Sequence, residues 1–152
     1  MTAHPHQSVF QIDSSPKFTR VSSPELSSVI ALSAFRCTWR SRIEARLIQL
    51  GCLKLGWDGH GGKPVNRATL DFAIKILVDL MRPGVPEPSI GATSYGGVQI
   101  EWHRSGWDME IEIVAPNQLD LFTRNVRTGE IEEFSLGIVL DRLNHAVNLI
   151  KD

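Results

Sequence analysis

A chain of 152 residues with 42% apolar and 22% charged residues fits one soluble domain with a single core. Its formal net charge of −1 excludes a generally nucleic-acid-seeking surface. Cys37 and Cys52 are its only cysteines, without CxxC or metal-ligand spacing, and no basic start leads into a long apolar run. The expectation is therefore a cytoplasmic protein without signal peptide or membrane span.

Residues 1–21 carry Ser, Pro and His around isolated Val9, Phe10, Ile12 and Phe18, and read as a flexible N-terminal arm. Residues 22–152 read as a single domain. Ser22-Ser23-Pro24-Glu25 has capping-box spacing and opens a helical region that runs to about residue 50. Its apolar positions Leu26, Ile30, Trp39, Ile43, Leu47 and Leu50 keep helical spacing, with a break near 33–38 that can split it in two. Arg36 and Arg40 share one face, as do Arg42 and Arg46.

Next comes Gly56-Trp57-Asp58-Gly59-His60-Gly61-Gly62-Lys63-Pro64-Val65-Asn66. Glycine at this density marks a backbone path that ordinary residues hardly follow. A phosphate-binding Walker loop is excluded, because Pro64 follows Gly62-Lys63 and Trp57 stands where the first glycine belongs. Asp58 is expected to accept backbone N–H groups in the turn, and Trp57 to plug a gap between helices. The functional alternative makes Trp57, Asp58 and His60 a ligand-contacting group.

Asn66 is placed to cap a helix from residue 67 to about 81, ended by Pro83-Gly84. Leu70, Ala73, Ile74, Leu77 and Met81 form one stripe and Phe72, Ile76 and Leu80 another, so this helix belongs at the centre of the fold. From Ser89 the period changes to two. A two-residue turn at Ser105-Gly106 pairs Arg104 with Trp107, Trp102 with Met109, Ile100 with Ile111 and Val98 with Ile113, so every apolar residue meets an apolar partner. A fourth strand, 119–126, turns at Thr128-Gly129 into a fifth, 130–135, in a register setting Phe122 opposite Phe134 and Arg124 opposite Glu132. Leu136, Val139, Leu140, Leu143, Val147 and Ile150 then form the stripe of a last amphipathic helix. The fold class is α+β: N-terminal helices, a four- to five-stranded antiparallel meander and a C-terminal helix packed on one sheet face.

The glycine loop, together with Gly96-Gly97-Val98-Gln99-Ile100-Glu101-Trp102, resembles a family of small uncharacterised bacterial proteins. These share a Gly-Trp-Asp-Gly loop and a later Gly-Gly, Glu-Trp strand; the similarity covers roughly 53–134, and Gly62 stands where many relatives read alanine. Such proteins often lie among mobile-element, phage or toxin–antitoxin genes. The resemblance thus implies a bacterial domain with an antitoxin, immunity or accessory role, and it assigns no catalytic residue.

Residues 1–55 hold seven Lys/Arg against three Asp/Glu, and residues 56–152 nine against fourteen. Such asymmetry marks either an interaction face or basic helices lying against an acidic sheet within one molecule. The sheet's polar side sets His103 opposite Asp108 and Glu101 opposite Glu110, with Gln99 and Glu112 beyond. Like charges across a pair are unfavourable. Such a face is solvated, lies under a cation, or shares a proton.

Three readings follow. The leading one is a protein–protein interaction module that docks a partner protein through Glu101, His103, Asp108, Glu110 and Glu112, or through a basic helix bearing Arg36 and Arg40. It requires no cofactor, metal or catalytic residue. The second is a metal-dependent or acid–base hydrolase using Asp58, His60, Glu101, His103 and Glu110. The third is DNA binding through the arginine-bearing helix. Ser94 misses the nucleophile-elbow spacing by one residue. Cys37 reads as a buried thiol, and His145 as a surface residue.

Overall fold

The same two periodicities govern the folded chain, described here from a computed structural model over residues 39–137 and 140–151. The arm at 1–21, the capping box at 22–25, Arg36 and Cys37 lie outside the described residues. The elements are α1 (residues 39–51), α2 (Arg67–Leu80), β1 (Ser89–Ala92), β2 (Val98–Arg104), β3 (Trp107–Ala115), β4 (Gln118–Asn125), β5 (Ile131–Leu136) and α3 (Leu140–Leu149). The strands form one antiparallel sheet in the order β1-β2-β3-β4-β5, a meander. α2 rests on β2 and β3, and α3 rests on β3 and against α2. The fold is α+β, as the element pattern indicates.

α2 begins where Asn66 Oδ1 accepts the Ala68 N–H at 2.8 Å, and it ends at Met81 just before Arg82-Pro83-Gly84. Both of its stripes are buried: Leu70, Ala73 and Leu77 on one, Phe72, Ile76 and Leu80 on the other. On α1, Trp39, Ile43 and Leu47 recur every fourth residue and join the same core, together with Leu50. Leu143, Ala146, Val147 and Ile150 close it from the last helix. No described helix is long and apolar enough to cross a membrane.

The β2–β3 hairpin has the register that the alternation dictates, with Trp102 opposite Met109 and Ile100 opposite Ile111. Ser105 and Gly106 both take positive φ, 55° and 78°, as a two-residue hairpin turn requires. The Trp102 indole N–H donates to the Pro86 carbonyl at 2.8 Å, so the buried ring keeps its one polar atom satisfied. Between Ile113 and Ala115 the register to β4 shifts, which leaves Val114, exposed on the open face, without a cross-strand partner.

The β4–β5 register corrects the sequence expectation by one residue. Leu121 faces Phe134, Phe122 faces Glu133, Thr123 faces Glu132 and Arg124 faces Ile131. The cause is the loop. Asn125 N–H donates to Glu130 O at 2.9 Å, and the Asn125 carboxamide oxygen accepts the N–H groups of Arg127 and Thr128. The closing pair is therefore Asn125 and Glu130 rather than Val126 and Glu130. A one-residue slip exchanges the faces of β5, which puts Phe134 on the helix side and Glu133 beside Phe122, whose own place on the open face follows from its pairing with Glu110. Leu136 ends β5 and does not begin the last helix; Val139 lies outside the described residues.

Candidate functional site

With the helices on one side, the other side of the sheet carries three rows of side chains running across the strands. The first is His103, Asp108, Arg124, Ile131; the second Glu101, Glu110, Phe122, Glu133; the third Gln99, Glu112, Asp120, Ser135. The first row is balanced. Asp108 accepts from His103 Nδ1 at 2.8 Å and from Arg124 Nε at 2.9 Å. Those bonds, the histidine's first, hold the Asp108 carboxyl below the usual carboxylate range. Stability from a lowered acid is present above its unfolded pKa and lost as pH falls through the folded value. Asp108→Asn is therefore expected to melt below wild type at neutral pH, with the gap closing as acid protonates Asp108; a gap independent of pH would refute this.

The second and third rows are not balanced. They bring five carboxylates together, in two like-charge cross-strand pairs, Glu101–Glu110 and Glu112–Asp120, with Glu133 beside Phe122. Gln99 donates to Glu101 Oε1 at 2.8 Å and also hydrogen-bonds Glu110. Among the described residues no Lys, Arg or His bonds to any of the five. Partial burial, then the charges of Glu101 and Glu112, push the Glu110 carboxyl up despite the Gln99 bond. A depression of ≈ 600 Å³ opens over these rows, lined by Glu110, Glu112, Asp120, Phe122 and Glu133 among others. Its floor is thus an aromatic ring among acids.

The glycine loop has a different character. Asp58 Oδ1 accepts the N–H groups of His60 (2.8 Å) and Gly62 (2.7 Å), the turn role its residue type suggests, and these bonds lower its pKa. His60 turns its Nδ1 back to the Asp58 carbonyl at 3.0 Å. Trp57 corrects the expectation of a core plug: it is 36% exposed, and its indole N–H donates to Lys63 O at 3.1 Å, pinning the loop across itself. The loop then docks on the β1–β2 turn through Lys63 N–H to Ser94 O at 2.9 Å. Ser94 lies in that turn and not in a strand. Among the described residues, no three His, Cys, Asp or Glu side chains converge in a way that could hold a metal ion.

The arginines of α1 are engaged locally. Arg40 pairs with Glu44 at 2.7 Å, Arg42 with Glu87, and Arg46 Nε donates to the Ile90 carbonyl at 2.8 Å. Arg40 is thus apart from the acidic rows, and a phosphate-tracking stripe would have to break these bonds first. Cys52 is a free, exposed thiol, and His145 is exposed as expected. Of the proposed partner face, Glu101, Glu110 and Glu112 stand together with no described cation bonded to them, although the charge of His103 acts on Glu110, whereas His103 and Asp108 are bonded to each other within the fold. Asp120, Phe122 and Glu133 were missed. Asp120 and Glu133 carried a signal in the acidic character of strands four and five, but assigning Asp120 needed the β3–β4 register and Glu133 the true β4–β5 register.

Comparison of the chain with protein-family models, with curated proteins and with solved structures finds no match.

Proposed function

We propose that this protein is an interaction module that receives a basic partner protein on the open face of its sheet. One observation carries the reading: two adjacent rows hold five carboxylates around Phe122, and no described Lys, Arg or His is seen bonded to any of them. Each like-charge pair costs roughly 0.2–1 kcal/mol, a cost that a cationic partner would remove. The ring of Phe122 adds a cation–π surface for Lys or Arg. A field of one sign also steers an oppositely charged partner and raises its association rate. The resemblance of the Gly-Trp-Asp-Gly loop supports setting this activity in an antitoxin, immunity or accessory protein of a bacterial mobile-element or defence system. The cysteine pattern supports a cytoplasmic setting.

The test is affinity purification from the native host with wild type and with a Glu110→Lys/Glu112→Lys variant. Wild type is expected to retain a basic protein that salt releases, and the variant to retain little of it. Equal retention by both would sink the reading.

Glu110→Gln separates a docking surface from an internal ion pair. It is expected to leave stability unchanged or to raise it by roughly 0.2–1 kcal/mol, since repulsion is relieved. A raised folded pKa means that the wild type loses stability as pH rises from the ordinary value of 4.5 through the folded value. The variant's advantage should accordingly appear above that range and vanish below it in thermal melts. A loss of several kcal/mol would show Glu110 held by an internal cation, contrary to the proposal.

A further inference from the structure

The two edges of the sheet are treated differently. Among the described residues β1 pairs only with β2, and α1 lies along its outer side: Arg46 donates to the outward Ile90 carbonyl at 2.8 Å, and Arg42 clasps Glu87 just before the strand. β5 pairs with β4 alone among the described residues, and no described side chain bonds to its outer edge. Because Asn125 N–H bonds to Glu130 O, alternation along the ladder turns 132, 134 and 136 towards β4. The backbone groups of Ile131, Glu133 and Ser135 consequently point outwards. Their side chains lie on the open face, at the ends of the three rows.

We infer that the outer edge of β5 is where the partner binds, by adding an extended basic segment as a sixth strand. The inference rests on the acidic-face reading and names the partner's form. A strand laid on this edge satisfies the outward N–H and C=O groups. Its alternate side chains fall on the open face, next to Glu133 and one strand from Phe122 and Asp120. The favoured sequence therefore carries Lys or Arg at every second position. The residues between lie on the helix side, where Phe134 sits under Arg142 at 4.2 Å, so they are neutral or apolar. A second copy of this chain fits poorly. The two-fold antiparallel register with the most overlap sets Glu133 opposite its own copy, so the carboxylate that favours a cationic strand opposes self-pairing.

The experiment uses the full chain and a short peptide alternating arginine with valine. Two N-methylated versions accompany it, one blocked at every arginine and one at every valine. Strand pairing uses only alternate N–H groups. One blocked version should therefore bind about tenfold or more weakly while the other keeps its affinity. The amides of Ile131, Glu133 and Ser135 should exchange fast in the free protein and slowly with the parent peptide.

If both blocked versions bind like the parent, the peptide sits on the face without adding a strand; this inference falls and the acidic-face reading stands. If the amides are already slow in the free protein, residues 1–38 or a second copy occupy the edge, and the inference falls. If the parent protects those amides equally well in a Glu112→Lys protein, the acidic-face reading fails and takes the cationic partner with it. No binding by the parent peptide also overturns the inference.

Discussion

Trp102→Ala is expected to lower stability by about 3–5 kcal/mol, the range for a large aromatic truncated in a packed core. The ring is 2% exposed and lies on the helix side of the sheet, beside Ile100 on its own strand and opposite Met109. Truncation leaves a cavity that α2 and β3 cannot both close, and it strands the Pro86 carbonyl that the indole satisfies. Trp57→Ala should cost far less, about 0.5–1.5 kcal/mol, since that ring lies at the surface and contributes chiefly one hydrogen bond to Lys63 O. Chemical denaturation of the two variants beside wild type measures the difference. Equal losses would mean that Trp57 is packed far more tightly than its exposure indicates.

The same pair of tryptophans shows what could be read from sequence. Trp102 sits in a run where apolar and polar residues alternate, and only one register lets Val98, Ile100 and Trp102 all meet apolar partners across the hairpin. Pattern and pairing therefore agreed, and the burial of Trp102 followed. Trp57 sits where no period exists. A glycine-rich path has no inside and outside until its hydrogen bonds are known, so residue type alone misplaced it. The β4–β5 pair failed for a related reason. Phe122 is an aromatic on the polar face, so the alternation that decides register is broken there, and the loop length depends on the Asn125 side chain closing over Arg127 and Thr128. The candidate site was legible in the same measure. Glu101, Glu110 and Glu112 lie on the strands whose register was secure, whereas Asp120 and Phe122 lie on a strand whose pairing to β3 the alternation did not assign, and Glu133 lies beyond the β4–β5 slip. The arginines of α1 were visible as a stripe, but their partners Glu87 and Ile90 are more than forty residues away in sequence.

Gly97→Ala is expected to cost about 1–3 kcal/mol, and Gly97→Val more, because the cause is collision and not conformational freedom. A Cβ at Gly97 would stand 2.7 Å from the Ile113 carbonyl oxygen and 2.9 Å from Thr93 Oγ1. Neither neighbour yields easily. Ile113 lies in the central strand, and Thr93 is held by accepting the Gly97 N–H at 3.0 Å and donating its own N–H to Gly97 O at 3.1 Å. Gly96 beside it combines φ of 91° with a would-be Cβ 2.9 Å from the Pro64 carbonyl oxygen. The Gly-Gly pair is thus the seat on which the earlier glycine loop rests, and the two motifs form one packed unit although thirty residues separate them. Gly91→Ala is the control: it lies in the neighbouring strand with nothing within 4 Å of a new Cβ, and should melt close to wild type. Gly62→Ala tests the other side of the unit, since its Cβ would meet the Asp58 carboxylate at 2.7–2.8 Å and dislodge the turn that carboxylate ties. It should lower the melting temperature, and Asp58→Ala combined with it should add little, because both changes undo the same turn. If Gly97→Ala melts like Gly91→Ala, the Ile113 carbonyl can shift at little cost, and the pairing of the two motifs needs another cause.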